Sequence, residues 1–118
     1  MNSNEKEKIE NIIAVRKKSH NFFRENSSVY RAFIDMEEET YQDGVLSKLQ
    51  KELIAIGISV VINCESCMEW HIKEAIVAGA TDNQIIESIG VGIEMSGGPG
   101  TVSARFAMNV LEYHRSSV

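Results

Sequence analysis

Apolar residues recur at intervals of three and four along most of the chain and nowhere alternate cleanly with polar ones. This pattern predicts helices and no strands. A first helix is expected from about Asn4 to Glu25, with Ile9, Ile12, Ile13, Arg16 and His20 along one side. A short second helix should start near Ser27 or Ser28 and carry Val29, Ala32, Phe33 and Met36 at helical spacing, with Glu37, Glu38 and Glu39 on its solvated side. Asp43-Gly44 reads as a turn. Ser47 with Gln50 forms a capping-box pair opening a third helix, whose Leu49, Leu53, Ile54, Ile56, Val60 and Val61 make it apolar nearly all round. Asn63 should end it. A fourth helix is expected from Cys64 or Glu65 to Gly79, a residue suited to positive φ. Thr81 with Gln84 caps a fifth, lined by Ile85, Ile86, Ile89 and Ile93, where Gly90 and Gly92 permit close helix contact. Ser96 to Gly100 is expected to be a loop. The last helix should run from about Thr101 to His114, with Val102, Phe106, Val110 and Tyr113 on one face. The expected architecture is all-α, a compact bundle of about six helices in one domain over residues 1–118.

Composition narrows the function. At 118 residues with 43% hydrophobic content, the chain is globular and large enough to hold a modest core alone. A net charge of −5, with acidic residues spread along the chain, argues against nucleic acid or an anionic membrane as a partner. The polar, charged start has no apolar stretch behind it to make a signal peptide, and the longest apolar run, Leu53 to Ile62, is too short to span a bilayer. A cytoplasmic location is therefore expected. Two cysteines in a reducing compartment are poor structural staples, and a bridge across two intervening residues closes too small a loop to stabilise much.

The chemistry concentrates in Cys64, Cys67 and His71, whose spacings of three and four place them on one face of one helix. Cys67 lies one turn from the imidazole. Cys64 lies at the helix N-terminus, where free N–H groups and the dipole favour an anion. Both settings favour the reactive thiolate, and the spacing lets the pair cycle between dithiol and disulfide. Zinc is the rival reading. Cys64, Cys67 and His71 offer three ligands, but there is no second pair, so Glu52, His20 or His114 would have to serve as the fourth. A redox dithiol predicts a protein without bound metal or other cofactor. Met68 directly after Cys67 excludes covalent haem attachment. Taken alone, Glu52 reads as a solvated carboxylate beside Lys51; its functional alternative is as proton partner to His71. Trp70 and Met68 read as packing residues, and His20 and His114 as surface groups.

Glu52, then Cys64-Glu65-Ser66-Cys67, then His71, followed by Ala75-Ile76-Val77-Ala78-Gly79-Ala80-Thr81, resembles the alkylhydroperoxidase D-like family, also called carboxymuconolactone decarboxylase-like. The glutamate stands twelve residues before the first cysteine and the histidine four after the second, as in that family. The resemblance covers about residues 45–112, with residues 1–44 as N-terminal helices. It implies an all-helical fold that assembles into homo-oligomers, trimers or hexamers. It also implies thiol-dependent peroxidase or disulfide reductase activity on a peroxide or disulfide substrate. By that analogy Cys67 attacks peroxide, Cys64 resolves the sulfenic acid to a disulfide, His71 and Glu52 form a proton relay, and an external dithiol restores the pair. The family's best-known peroxidases carry a second histidine between the cysteines; here Ser66 stands in its place, which implies a simpler relay. The branch that gives the family its decarboxylase name typically lacks the cysteine pair, so that reaction does not carry over. Helix geometry leaves the order of the cysteines open, because Cys64 has the better dipole position. A non-catalytic oligomeric binding protein, with zinc at Cys64, Cys67 and His71, is the alternative class.

Overall fold

The structure is a computed structural model and describes residues 1–116. Six helices form: α1 (Ser3–Asn26), α2 (Ser28–Thr40), α3 (Lys48–Val61), α4 (Glu65–Val77), α5 (Asp82–Ser96) and α6 (Gly98–Ser116). The starts follow from local chemistry. Asn2, Ser47 and Thr81 each accept the backbone N–H three residues on, and Glu5, Gln50 and Gln84 return a bond to the cap backbone, completing three capping boxes. Ser27 caps α2 through the N–H of Tyr30. Asn63 and Gly79 take φ of 52° and 99°, the left-handed geometry that stops α3 and α4.

One boundary differs from the sequence expectation. Only Gly97 separates α5 from α6, not a loop over residues 96–100. Gly97 makes the turn at φ 70°, and Pro99 sits in the first turn of α6, where its missing N–H is no loss. The expected face of α6 also rotates. Val102 is exposed, and Ser103, Phe106, Ala107, Val110 and Leu111 point inward.

Helices α3 to α6 make the core, with α3 packed most extensively on α5 and then on α4. Ile56 and Val60 of α3, Met68 and Ile72 of α4, Ile85 of α5 and Val110 of α6 are sealed from solvent, and Ile9 anchors α1 to them. The α3–α5 crossing depends on Gly92: a Cβ there would lie 2.7 Å from the Gly57 carbonyl oxygen and 2.8 Å from Val60 Cβ. Ser88 Oγ pins the same crossing by donating to the Leu53 carbonyl. Gly90, expected to share this role, has nothing near its missing side chain. Helix α2 buries no residue and packs chiefly on α1, leaving Val29, Phe33 and Met36 exposed.

Both histidines read as surface groups prove to be engaged. His20 Nδ1 lies 2.8 Å from the Tyr30 hydroxyl, tying α1 to α2. His114 Nε2 lies 2.6 Å from Oε2 of Glu69, which is fully buried, and Arg16 of α1 pairs with the other carboxylate oxygen. Burial pushes the Glu69 carboxyl up, but the His114 hydrogen bond and the Arg16 charge and hydrogen bond outweigh it, and the net shift is downward. These partners lie far apart in sequence, so neither pairing is visible until α1, α4 and α6 dock.

Two measurements follow. Gly92→Ala should destabilise the fold by about 1–3 kcal/mol through overpacking, whereas Gly90→Ala should be neutral or stabilise it by up to about 1 kcal/mol; urea unfolding separates them. Because Glu69 has a lower pKa folded than unfolded, its contribution is complete above the ordinary carboxylate range and is lost as pH falls through the folded value. Glu69→Gln, which strips Arg16 of its counter-charge, should cost about 3 kcal/mol at neutral pH. It should also flatten the acid limb of the stability–pH curve measured by thermal melts.

Candidate active site

Cys64 and Cys67 stand at the start of α4 and are joined as a disulfide, with their Cα atoms 5.2 Å apart. Cys64 is the N-cap residue, and its Sγ accepts the Cys67 backbone N–H at 3.2 Å. The cap that serine or threonine provides elsewhere in this chain is here provided by sulfur.

Glu52 is not the solvated carboxylate that its neighbour Lys51 suggested. It lies on the inward face of α3 at 1% exposure, and its Oε1 accepts a 2.7 Å hydrogen bond from His71 Nδ1. A charge so buried must be paired, and His71 and Lys48 pair it. Lys48 Nζ reaches Glu52 Oε2 at 3.2 Å and Glu74 Oε1 at 3.5 Å. Burial works to lower the Lys48 pKa, but the bonds and charges of Glu52 and Glu74 more than offset it, and the ammonium is held above its usual value. With Nδ1 turned to the carboxylate, Nε2 is the ring nitrogen left for proton exchange.

Tyr41, immediately after α2, tilts over the His71 ring with centroids 5.3 Å apart. Burial first, then the Glu52 and Glu37 charges, push its hydroxyl pKa up, so it stays protonated at neutral pH. Its ring helps wall a cavity of about 400 Å³ whose apolar lining includes Ile54, Ala55, Ile58 and Ile62 of α3 and the next residue, and which Cys67 and His71 also line. A second cleft of about 1360 Å³ between the α1–α2 arm and α4 also opens on Cys67, His71, Ser66 and Trp70. Cys64 lines neither. Trp70 stacks under Arg16 and Lys73, with their charges 5.1 and 4.6 Å from its ring centroid, and Met68 is core. Both therefore pack, as their types suggested.

The structure thus brings Glu52, Cys67 and His71 together along the larger cleft, and Cys67 and His71 also line the smaller cavity. Sequence reasoning missed Lys48, Tyr41 and Glu74. Lys48 carried a signal, its i,i+4 spacing to Glu52; Tyr41 carried none. Of the residues that could complete a zinc site, His20 is bonded to Tyr30, His114 to Glu69 and Glu52 to His71. Among the described residues no group of three or more His, Cys, Asp or Glu side chains is placed to hold a metal ion. Among them, too, no helix is long and apolar enough to cross a membrane.

Comparison with known proteins extends this geometry. A protein from the cox locus of Paracoccus denitrificans, itself uncharacterized, is 38% identical over 89 residues, covering 75% of this chain and 80% of its own. An uncharacterized protein of Cupriavidus necator is 38% identical over 77 residues, 65% of this chain and 68% of its own. Among solved structures, a carboxymuconolactone decarboxylase family protein of Legionella pneumophila superposes with a TM-score of 0.77 at 27% identity, over 92% of this chain and 96% of that one. A Thermotoga maritima protein of the same family, described as having a suspected part in antioxidative response, gives 0.82 at 23% identity over 90% and 91% of the two chains. The last likeness carries the fold alone. The carboxymuconolactone decarboxylase family profile matches residues 27–109, which take in α2, the paired glutamate and histidine, and both cysteines. The chain belongs to the carboxymuconolactone decarboxylase family, and within it to the part that carries a Cys-x-x-Cys pair.

Proposed function

We propose that the protein is a thiol-dependent peroxidase or disulfide reductase working through Cys64 and Cys67. The observation that carries this reading is the buried Glu52 carboxylate bonded to His71 beside the cavity that Cys67 lines. A carboxylate so placed orients the imidazole and stabilises the imidazolium formed when the ring takes a proton.

In the reduced enzyme His71 Nε2 takes the Cys67 proton, and the thiolate attacks the distal peroxide oxygen. The O–O bond breaks, an S–O bond forms, and the leaving alkoxide or hydroxide takes the proton that His71 accepted and departs as alcohol or water. Cys64 Sγ, as thiolate, then attacks the Cys67 sulfenic sulfur. The S–S bond forms, the S–O bond breaks, and the hydroxide takes the proton that Cys64 gave up and leaves as water. An external dithiol returns two electrons and two protons by exchange through Cys67, the sulfur that lines both openings. Acting as a disulfide reductase, the pair would run the same exchange with a disulfide in place of the peroxide.

We also propose that the protein works as a homo-oligomer, a trimer or hexamer. Ile54, Ile58 and Val61 on the outer face of α3, Ile86, Val91 and Met95 on α5, and the apolar side of α2 are all more than 40% exposed. Apolar side chains so exposed on three helices are what contacts between subunits would cover.

Cys67→Ser should abolish reaction with peroxide. Cys64→Ser should react once, leaving a sulfenic acid on Cys67 that a dimedone-type probe traps, and should not turn over. His71→Ala and Glu52→Ala should each slow peroxide consumption by roughly a hundredfold or more while circular dichroism stays helical. Mass spectrometry after one peroxide equivalent checks the order: sulfenic acid on Cys64 in the Cys67→Ser protein would reverse the assignment. If neither variant reacts, peroxidase activity is excluded and disulfide exchange is left. Light scattering at micromolar concentration should give three or six times the chain mass; a monomer would refute the assembly.

A further inference from the structure

The relay proposed above ends at Glu52, but the contacts do not. Glu52 has two oxygens: Oε1 faces His71 Nδ1 at 2.7 Å, and Oε2 faces Lys48 Nζ at 3.2 Å. Lys48 divides its charge, since Glu74 Oε1 lies 3.5 Å away. Glu74 is on α4, three residues after His71, so the lysine bridges the helix that holds the carboxylate to the helix that holds the imidazole. The Tyr41 ring closes the assembly, with Lys48 Nζ 5.8 Å from its centroid and His71 stacked on it.

Counted by charge, His71 faces one buried carboxylate, one ammonium on that carboxylate's far side, and a second carboxylate on the ammonium. A carboxylate at hydrogen-bond distance favours the imidazolium; an ammonium beyond it reduces that preference, and an anion on the ammonium partly restores it. Other charged or titratable groups share the wider cleft with the ring, Arg16, Lys17, His20, Asp35, Glu38 and Asp43 among them, and they are the same in every variant compared below. Tyr41 remains neutral, Glu37 acts on it from α2, Cys67 is held in the disulfide, and Lys51 donates to the Gln42 carbonyl at 2.7 Å.

We propose that Lys48 is a positioning residue of this site: acting through Glu52 and balanced by Glu74, it sets how tightly His71 holds its proton. Too tight a hold leaves the imidazole already protonated when Cys67 needs a base; too weak a hold leaves it unable to accept. Lys48 also occupies Oε2, so that the buried carboxylate has no orphaned oxygen and keeps Oε1 turned to the ring. This rests on the proposed role of His71 as proton acceptor, but its electrostatic core is measurable without any turnover.

The test uses the full chain in its oxidised form, where the cysteines do not titrate. The carbon-bound ring protons of His71 are followed by NMR against pH and assigned by their loss in His71→Ala. Lys48→Met should move the His71 midpoint upward by about half a pH unit or more. Glu74→Gln should move it downward, and Lys48→Arg should restore the wild-type value. A structural role alone would not produce shifts of opposite sign. Unchanged midpoints in Lys48→Met and Glu74→Gln, or shifts in the same direction, would overturn the proposal. Should Lys48→Met fail to fold, the downward shift in Glu74→Gln and the wild-type midpoint in Lys48→Arg still decide it. Absence of peroxide and disulfide turnover in the wild type would instead refute the proposed function, and would leave these midpoints where they are.

Discussion

A carboxylate with almost no access to water is the constraint around which this molecule is arranged. Glu52 sits on the face of α3 that the core covers, and a charge there is tolerable only with partners that satisfy both of its oxygens. Those partners fix geometry. His71 must come from α4 with Nδ1 inward, so α3 and α4 pack at one register and rotation. Lys48 must come from one turn earlier on α3, so the helix start that the Ser47 cap sets is also the start of the charge network. Once His71 is so turned, Cys67, one turn before it, shares its cavity, whereas Cys64 lines neither opening.

A second buried carboxylate, Glu69, does comparable work on the other side of α4. It draws in Arg16 from α1 and His114 from α6. Helix α4 therefore carries the cysteines and histidine of the candidate site on one side and a tertiary clamp on another. Dispersion and hydrophobic burial through Met68 and Ile72 fill the space between. The two glutamates divide the labour: one is bonded to the ring that shares a cavity with Cys67, and the other ties α1 and α6 to α4.

Features set by neighbours in sequence were legible in it. The caps at Ser47 and Thr81, the stops at Asn63 and Gly79, and the placement of Cys64 at a helix start all depend on residues within four positions. The common face of Cys67 and His71 was legible for the same reason. The burial of Glu52 was not, because it depends on a partner nineteen residues away, and Lys51 beside it made a solvated reading natural. His114 failed likewise, with its carboxylate forty-five residues off. The glycine-rich run before α6 misled in another way. Its composition fits a loop, but one glycine at positive φ makes the turn and proline suits the first turn that follows. The family's glutamate–cysteine–histidine spacing supplied what local chemistry lacked; nothing local marked Tyr41 as a neighbour of the ring.

The sulfur that closes the N-terminus of α4 has a consequence for the helix itself. The Cys67 N–H would otherwise be one of the unpaired donors of a first turn, and its acceptor is Cys64 Sγ. The sulfur that bonds Cys67 Sγ is thus also a fastening of the backbone. In the proposed redox cycle electron count and helix fraying would be linked: a thiolate at Cys64 would accept more strongly than half of a disulfide does, so the first turn would tighten on reduction. By the same linkage, whatever orders that turn would favour the reduced pair.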